Sequence, residues 1–317
     1  MKVVVTDRTF PTLDQEERAA REGGAEFAAH QAKTAEEVAE VVAGAHVALV
    51  QFAPFTEAAA RAMAPGGTVI RYGVGYDNID LGATRAAGLR VGYVPDYCAD
   101  EVAEHTTAMA LAMLRKLPQL DASVRTGEWA AVKVSRPLKP FAETVFGFFG
   151  LGQIGRAVLG RLRGFGFRFA ASDPGLSAAD AGSLGVELMS AEDLLRRADV
   201  ISLHAPATAQ TRGYFNTERL RTMQPHAILI NSARGQLIDE NDLAAALRDG
   251  TVGGAALDVF GTEPLPPDSP LRSAPNCLLT PHAAWYSDAA IGRLQGLVAE
   301  DVTRALNGEG PRKPVPG

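Results

Sequence analysis

The stretch of sequence that decides the fold is Val145-Phe146-Gly147-Phe148-Phe149-Gly150-Leu151-Gly152-Gln153-Ile154-Gly155. Its first part is apolar and predicts a buried strand, and Gly150, Gly152 and Gly155 follow with the spacing Gly-x-Gly-x-x-Gly. Between a strand and a helix, such glycines permit a tight turn and let backbone N–H groups approach a pyrophosphate. The stretch therefore predicts a dinucleotide-binding βα unit.

An acidic residue stands at the end of the next apolar segment, residues 167–172. Asp173 lies 18 positions beyond Gly155, where a carboxylate can accept hydrogen bonds from both hydroxyls of an adenosine ribose. A 2′-phosphate would be repelled by Asp173, and the three residues after it include no arginine to receive that phosphate. The pattern therefore favours NAD over NADP as the cofactor.

Composition excludes several classes of protein. The formal net charge is −6 with no basic tract, so nucleic acid is not an expected partner. The longest apolar run, residues 106–114, is too short to span a bilayer, and residues 1–7 resemble a first buried strand rather than a signal peptide. The two cysteines, Cys98 and Cys277, predict neither a disulfide framework nor a metal site. We expect a cytoplasmic protein that needs no metal and does not bind membranes.

Short β-branched segments alternate with alanine-rich helical segments, which predicts parallel sheets and the α/β class. A length of 317 residues favours two domains. A helix over 100–117, ended by Pro118, is expected to separate them, and a last helix over 288–306 is expected to return to the first domain. The predicted boundaries are 1–99 with 286–317 for one domain and 100–285 for the other. We predict strands at 3–6, 47–51, 69–72 and 89–93 in the first domain, and a six-stranded sheet in the second, at 145–149, 167–172, 200–203, 227–230, 255–259 and 278–280.

Three segments that follow late predicted strands carry ionisable residues: 231–235, 258–264 and 280–285. In parallel sheets such strand ends face the ligand crevice. Hydride transfer to a ketone needs a proton donor, a cation that polarises the carbonyl, and a carboxylate that supports the donor. His282, Arg234 and Glu263 match these three needs. Each residue alone also has an ordinary interpretation, as a strand cap, a surface ion pair or a loop residue.

The order of these motifs resembles that of the D-isomer-specific 2-hydroxyacid dehydrogenases over essentially the whole chain. The matching segments are Asn231-x-Ala233-Arg234-Gly235, Leu237 to Glu240, Asp258-Val259-Phe260, Glu263-Pro264 and Thr280-Pro281-His282. Residues 95–98, 100–103 and 282–287 look like the branch related to C-terminal-binding proteins, which are NAD-dependent transcriptional co-repressors. The resemblance implies two doubly wound parallel-sheet domains: a Rossmann NAD-binding domain and a discontinuous, flavodoxin-like substrate domain. It also implies a two-fold homodimer with the helix over 100–117 near its interface.

The resemblance further implies a set of binding residues. Arg234, Glu263 and His282 would form the catalytic triad, with His282 as acid and base. The substrate carboxylate would bind to the N–H groups of Val74 and Gly75 and to Arg71, while Trp285 would form an apolar wall. The structural alternatives are that Arg71 caps a strand end and that Trp285 packs between the two domains. Besides Gly150, Gly152, Gly155 and Asp173, the implied cofactor contacts are Gln153, Ile154, His204, Ala205, Pro206, Thr211, Ser232, Ala233 and Asp258.

The function that these features favour is hydride transfer between NAD(H) and a small 2-hydroxy or 2-oxo acid of D configuration. An alternative is an NAD-sensing interaction protein of the co-repressor type with little or no enzymatic activity. A complete triad argues against a purely binding role. A third alternative is related chemistry on another oxyanion, such as phosphite, at the Arg71 and Val74–Gly75 site.

Overall fold

Strands and helices alternate along the chain in the computed structural model, which describes residues 1–316. The strands are β1 (Lys2–Val5), β2 (Glu26–Ala29), β3 (Val47–Val50), β4 (Thr68–Arg71), β5 (Arg90–Tyr93), β6 (Val145–Phe149), β7 (Arg168–Ser172), β8 (Glu187–Leu188), β9 (Val200–Leu203), β10 (Ile228–Asn231), β11 (Gly254–Leu257) and β12 (Cys277–Leu279). The α-helices are α1 (Asp14–Glu22), α2 (Ala35–Val41), α3 (Glu57–Ala62), α4 (Leu81–Ala86), α5 (Ala99–Leu114), α6 (Leu117–Arg125), α7 (Ala131–Ser135), α8 (Gln153–Leu162), α9 (Ala178–Ser183), α10 (Ala191–Arg197), α11 (Thr217–Leu220), α12 (Glu240–Asp249) and α13 (Asp288–Leu306).

The chain divides into two units. Unit 1 comprises Met1–Cys98 and the C-terminal segment that begins at Tyr286, and unit 2 comprises Ala99–Trp285. Two separate parallel sheets, one in each unit, confirm the predicted α/β class. No helix within residues 1–316 combines the length and the apolar character needed to cross a bilayer.

Unit 1 contains a five-stranded sheet in the order β2-β1-β3-β4-β5, with every neighbouring pair parallel. This is the flavodoxin-like strand order. The central strands β1 and β3 are almost wholly buried because helices cover both faces of the sheet. Helix α13 packs against α1 and against β3 and β4, so the last helix of the chain belongs to the first sheet.

Unit 2 contains a sheet in the order β12-β11-β10-β9-β6-β7-β8, again entirely parallel. Counted from β6, this is the Rossmann order with one further strand, and the order reverses between β6 and β9. Side chains of β6 alternate between the two faces: Phe146 and Phe148 join the apolar cluster of α5 and α8, whereas Phe149 joins that of α10 and α12. The point of reversal is where such sheets bind ligands.

Three details differ from the sequence prediction. The first sheet has five strands instead of four, because β2 at its edge contains no β-branched residue to indicate a strand. The second sheet has seven strands instead of six, because the two-residue strand β8 pairs with β7 at the edge, and two residues give no periodic signal. Helix α5 ends at Leu114 rather than at the predicted Leu117, since Lys116 adopts a left-handed conformation with φ 56°. Pro118 instead lies in the first turn of α6, where its missing N–H needs no partner.

Candidate active site

The glycine loop lies between β6 and α8, at the point where the strand order of unit 2 reverses. Gly150 has φ +88°, and a Cβ there would lie about 3.0 Å from backbone atoms of His204 and Ala205. At Gly152 a Cβ would meet no protein atom within 4 Å. The loop thus leaves open space in front of the first N–H groups of a ten-residue helix. That space and those donors fit the pyrophosphate of a dinucleotide.

Asp173 lies directly after β7, beside the glycine loop. Its Oδ2 accepts a hydrogen bond of 2.6 Å from the Leu151 N–H, and its Oδ1 accepts one of 2.7 Å from the Gly175 N–H. The carboxylate is therefore held at the edge of the loop, in the place where the sequence predicts a ribose contact. Gln153 and Ile154 are the first two residues of α8, so their N–H groups are among those without an intrahelical acceptor.

The loop after β9 contains His204, Ala205, Pro206 and Thr211. The Thr211 hydroxyl donates to the Pro206 carbonyl at 2.6 Å and accepts from the Thr208 N–H at 2.7 Å, which closes this loop on itself. His204 Nε2 lies 2.9 Å from the Ser202 hydroxyl, and burial lowers the pKa of His204 to about 4. The His204 imidazole is therefore neutral at neutral pH.

The Arg234 loop, residues 231–235, follows β10 and is organised by the fully buried Asn231. Asn231 Oδ1 accepts from the N–H groups of Ala233 and Arg234 at 3.0 and 3.3 Å, and Asn231 Nδ2 donates to the Arg234 carbonyl at 2.7 Å. A Cβ at Gly235 would lie 1.9 Å from the carbonyl carbon of Phe260. Only glycine fits there, so the Arg234 loop lies directly against the loop that follows β11.

Glu263 and His282 form a hydrogen-bonded pair: Glu263 Oε2 is 2.7 Å from His282 Nδ1. Glu263 Oε1 accepts from the Phe260 N–H at 2.9 Å. Burial alone would raise the pKa of Glu263, but the hydrogen bond and charge of His282, the Phe260 N–H and the charge of Arg234 bring that pKa below its usual value. Because an ionised carboxylate can only accept, the proton between them sits on His282 Nδ1. The two side chains are 31% and 34% exposed, so small molecules can reach them.

Asp258 forms the hydrogen bonds that fix the turn containing His282. Its carboxylate is fully buried, with Oδ1 accepting from the Thr280 hydroxyl at 2.6 Å and from the Ala283 N–H at 2.8 Å, and Oδ2 accepting from the Ala284 N–H at 2.9 Å. The Asp258 carbonyl accepts from the His282 N–H at 2.8 Å. His282 has φ 52°, a left-handed conformation that a residue other than glycine keeps only where its surroundings fix it. The sequence predicted Asp258 as a cofactor contact, but it could not show that Asp258 forms the hydrogen bonds that fix this turn.

Two more predicted cofactor residues, Ser232 and Ala233, lie inside the Arg234 loop. Ser232 Oγ is 2.6 Å from the hydroxyl of Thr106 on α5. Trp285 is the last residue of unit 2 and is partly buried. Unit 2 thus contains all three predicted catalytic residues and every predicted cofactor residue.

The remaining predicted substrate residues lie in unit 1, in and after β4. Arg71 ends β4, where its guanidinium donates to the Tyr72 carbonyl and lies 6.0 Å from the ring centroid of Phe52. Val74 and Gly75 follow in the adjoining loop, and within residues 1–316 their N–H groups donate to no protein acceptor.

Asp7, for which the sequence predicted no role, shapes the neighbouring loop of unit 1. The buried Asp7 carboxylate accepts from the N–H groups of Gln51, Phe52 and Ala53 at 3.0, 2.6 and 3.1 Å. It therefore fixes the residues after β3, including Phe52, whose ring lies below Arg71. An acidic residue directly after the first apolar strand was the available signal.

Comparisons with known proteins agree with this geometry. Residues 107–284, more than half of the chain, match the family model of the D-isomer specific 2-hydroxyacid dehydrogenase, NAD binding domain. A D-3-phosphoglycerate dehydrogenase of Mycobacterium leprae (strain TN) is 42% identical over 262 residues, which are 82% of this chain and 49% of that protein. The chain therefore spans about half the length of the phosphoglycerate dehydrogenases that it matches.

Two further relatives match over most of their own length. A glyoxylate reductase of Korarchaeum cryptofilum (strain OPF8) is 38% identical over 248 residues, which are 77% of this chain and 74% of that protein. The crystal structure of a protein from Thermus thermophilus superposes with a TM-score of 0.87 at 34% identity and covers 100% of both chains.

These matches confirm the family that the sequence motifs predicted, whereas the branch related to C-terminal-binding proteins stays a prediction. NAD is the cofactor of the matched domain. The chain belongs to the D-isomer specific 2-hydroxyacid dehydrogenase family, and residues 107–284 match the NAD-binding domain of that family.

Proposed function

We propose that the protein is an NAD-dependent oxidoreductase that interconverts a small 2-oxo acid and the corresponding D-2-hydroxy acid. The observation that carries this proposal is the 2.7 Å pair of Glu263 and His282, set against the Arg234 loop in an NAD-binding domain. A histidine supported by a carboxylate and placed near an arginine supplies what carbonyl reduction requires.

In the reducing direction, NADH held by the glycine loop and Asp173 would supply the hydride for C2 of the 2-oxo acid. His282 Nε2 donates its proton to the carbonyl oxygen, so that the developing alkoxide becomes a hydroxyl. Glu263 stabilises the imidazolium before this transfer, and afterwards it keeps the neutral ring in the tautomer with Nδ1 protonated. The guanidinium of Arg234 polarises the carbonyl and stabilises negative charge on its oxygen.

Unit 1 is proposed as the substrate domain. The N–H groups of Val74 and Gly75 would donate to the substrate carboxylate, and Arg71 would add a charge-assisted hydrogen bond. Fixed donors are needed because the anion must shed water when it binds. Trp285 is proposed to border the substrate side chain and to favour a compact, uncharged group. A preference for compact substrates is consistent with the name of one relative, a glyoxylate reductase, because glyoxylate is a small 2-oxo acid.

A homodimer is also proposed, with an interface on the segment 117–138 of unit 2. The apolar side chains of α5 are largely buried within unit 2. We therefore propose the interface on the helices that follow α5, and not on α5 itself. Four apolar side chains there are strongly exposed: Leu117 at 54%, Val124 at 55%, Trp129 at 93% and Val132 at 68%. A surface of this kind is typical of a protein–protein interface.

The activity is tested with NADH and a panel of straight, branched, thioether and dicarboxylic 2-oxo acids, monitored by NADH oxidation. We expect a compact uncharged 2-oxo acid to be reduced to the D product. Replacing His282 with asparagine should lower kcat by about 10²-fold or more while the Kd of NADH changes little, because the imidazole acts on the developing alkoxide. NADH binding without reduction of any 2-oxo acid would instead support an NAD-sensing interaction protein.

Cofactor choice is tested at Asp173. The wild-type protein should strongly prefer NADH to NADPH, since the carboxylate would lie close to a 2′-phosphate of the same charge. The Asp173→Asn variant should narrow the ratio of kcat/KM for the two cofactors by about tenfold or more, whereas the exposed control Asp268→Asn should not change it. Equal efficiency of the wild-type protein with both cofactors would refute the assignment.

Assembly is tested by light scattering at micromolar concentration. The wild-type protein should have the mass of a dimer, and Trp129→Ala should shift the equilibrium toward monomer because it removes the most exposed large apolar side chain of the segment. Phe165→Ala removes an apolar side chain that is 43% exposed elsewhere in unit 2, and it should leave the mass unchanged. A monomeric wild-type protein would contradict the proposal.

A further inference from the structure

Helix α5 directs two consecutive polar side chains at the ends of β10 and β12. Thr106 is fully buried, and its Oγ1 lies 2.6 Å from Ser232 Oγ in the Arg234 loop. His105 Nε2 lies 3.1 Å from the hydroxyl of Thr280 and 3.6 Å from Asp258 Oδ1. One turn of a single helix thus contacts both the loop that carries Arg234 and the segment that leads to His282.

The direction of each hydrogen bond in the second contact follows from proton counting. The Asp258 carboxylate accepts, so the single hydroxyl proton of Thr280 points to Asp258 Oδ1 at 2.6 Å. Toward His105, Thr280 can then only accept. His105 therefore carries a proton on Nε2 and donates it to Thr280. The result is a continuous chain of hydrogen bonds, in which His105 donates to Thr280 and Thr280 donates to Asp258.

This chain ends at the turn of the catalytic histidine. The Asp258 carboxylate accepts hydrogen bonds from the Thr280 hydroxyl and from the N–H groups of Ala283 and Ala284. The backbone carbonyl of Asp258 accepts one from the His282 N–H. Because His282 holds a left-handed conformation, the turn depends on these bonds for its shape. A change in the orientation of the Asp258 carboxylate would therefore move the imidazole relative to its substrate.

We propose that His105 and Thr106 are positioning residues, which hold the His282 turn and the Arg234 loop in register from one turn of α5. The inference rests on the proposed function, since register matters only if both side chains act on one substrate. Docking of α5 onto the sheet does not require these two bonds, because Val102, Met109 and Met113 already bury its apolar face. The next residue, Thr107, has a buried hydroxyl with no hydrogen-bond partner within residues 1–316, so it serves as a matched control.

The kinetic test compares variants that remove each donor with variants that keep it. His105→Phe and Thr106→Val remove the hydrogen bonds, whereas His105→Gln places an amide N–H near the position of Nε2 and Thr106→Ser keeps the hydroxyl. We expect kcat to fall by about tenfold in the first pair, since a small misplacement of reacting groups is costly, while the Kd of NADH stays within about twofold. His105→Gln and Thr106→Ser should recover kcat to within about threefold of wild type, and Thr107→Val should match wild type.

The second readout does not depend on activity. Amide hydrogen exchange is followed in the cofactor-free protein over residues 280–287 and 231–236. His105→Phe should speed exchange at Ala283 and Ala284, and Thr106→Val should speed exchange in the Arg234 loop, while Thr107→Val should change neither.

Unchanged exchange in both donor-removing variants would overturn the inference, as would equal losses of kcat in the donor-removing and donor-keeping variants. If the wild-type protein reduced no 2-oxo acid, the proposed function would fail. Hydrogen exchange alone would then decide whether His105 and Thr106 hold the two loops.

Discussion

The buried carboxylate of Asp258 is the constraint on which the candidate active site depends. A charge removed from water is tolerated only where hydrogen bonds replace its hydration. Within residues 1–316, all three hydrogen bonds to this carboxylate come from one short segment: the hydroxyl of Thr280 and the N–H groups of Ala283 and Ala284. The hydrogen bonds that this buried carboxylate needs therefore fix the path of the chain after β12. His282 lies inside that path, which explains how it keeps a left-handed backbone conformation beside Glu263.

Sheet topology explains why the other two catalytic candidates lie nearby. Strands β10, β11 and β12 are consecutive neighbours in the sheet, and their carboxyl ends carry Arg234, Glu263 and His282 in that order. The glycine loop and Asp173 follow β6 and β7 at the same edge of the same sheet. A parallel sheet thus presents the predicted cofactor residues and the predicted catalytic residues along one edge, without long excursions of the chain.

Much of this arrangement could be predicted from the sequence, because its signals are local. The glycine triplet and the acid at the end of the next strand indicate a nucleotide site, and alternating strand and helix patterns indicate two parallel sheets. The edge strands β2 and β8 lacked such signals: β2 contains no β-branched residue, and β8 has only two residues. Pro118 was misread because a proline marks the first turn of a helix as readily as the end of one.

The tertiary role of polar side chains could not be read in the same way. Asp258 was assigned to the cofactor because it follows a strand, but its hydrogen-bond partners lie 22 to 26 positions further along the chain. His105 and Thr106 look like polar positions of an amphipathic helix, and only the packing of α5 on the strand ends shows what they contact. The roles of the predicted catalytic, cofactor and substrate residues stay predictions, since they depend on bound molecules.

The central claim is that Glu263 and His282 act as one unit, and a double-mutant cycle on kcat/KM tests it most directly. Glu263→Gln keeps the shape of the side chain and removes its charge, and His282→Asn removes the proton donor. Because Glu263 acts only through the imidazole, the double variant should be no more than about threefold less efficient than His282→Asn alone. Losses that multiply, with the double variant slower by the product of the two single effects, would show that the residues act independently and would contradict this account.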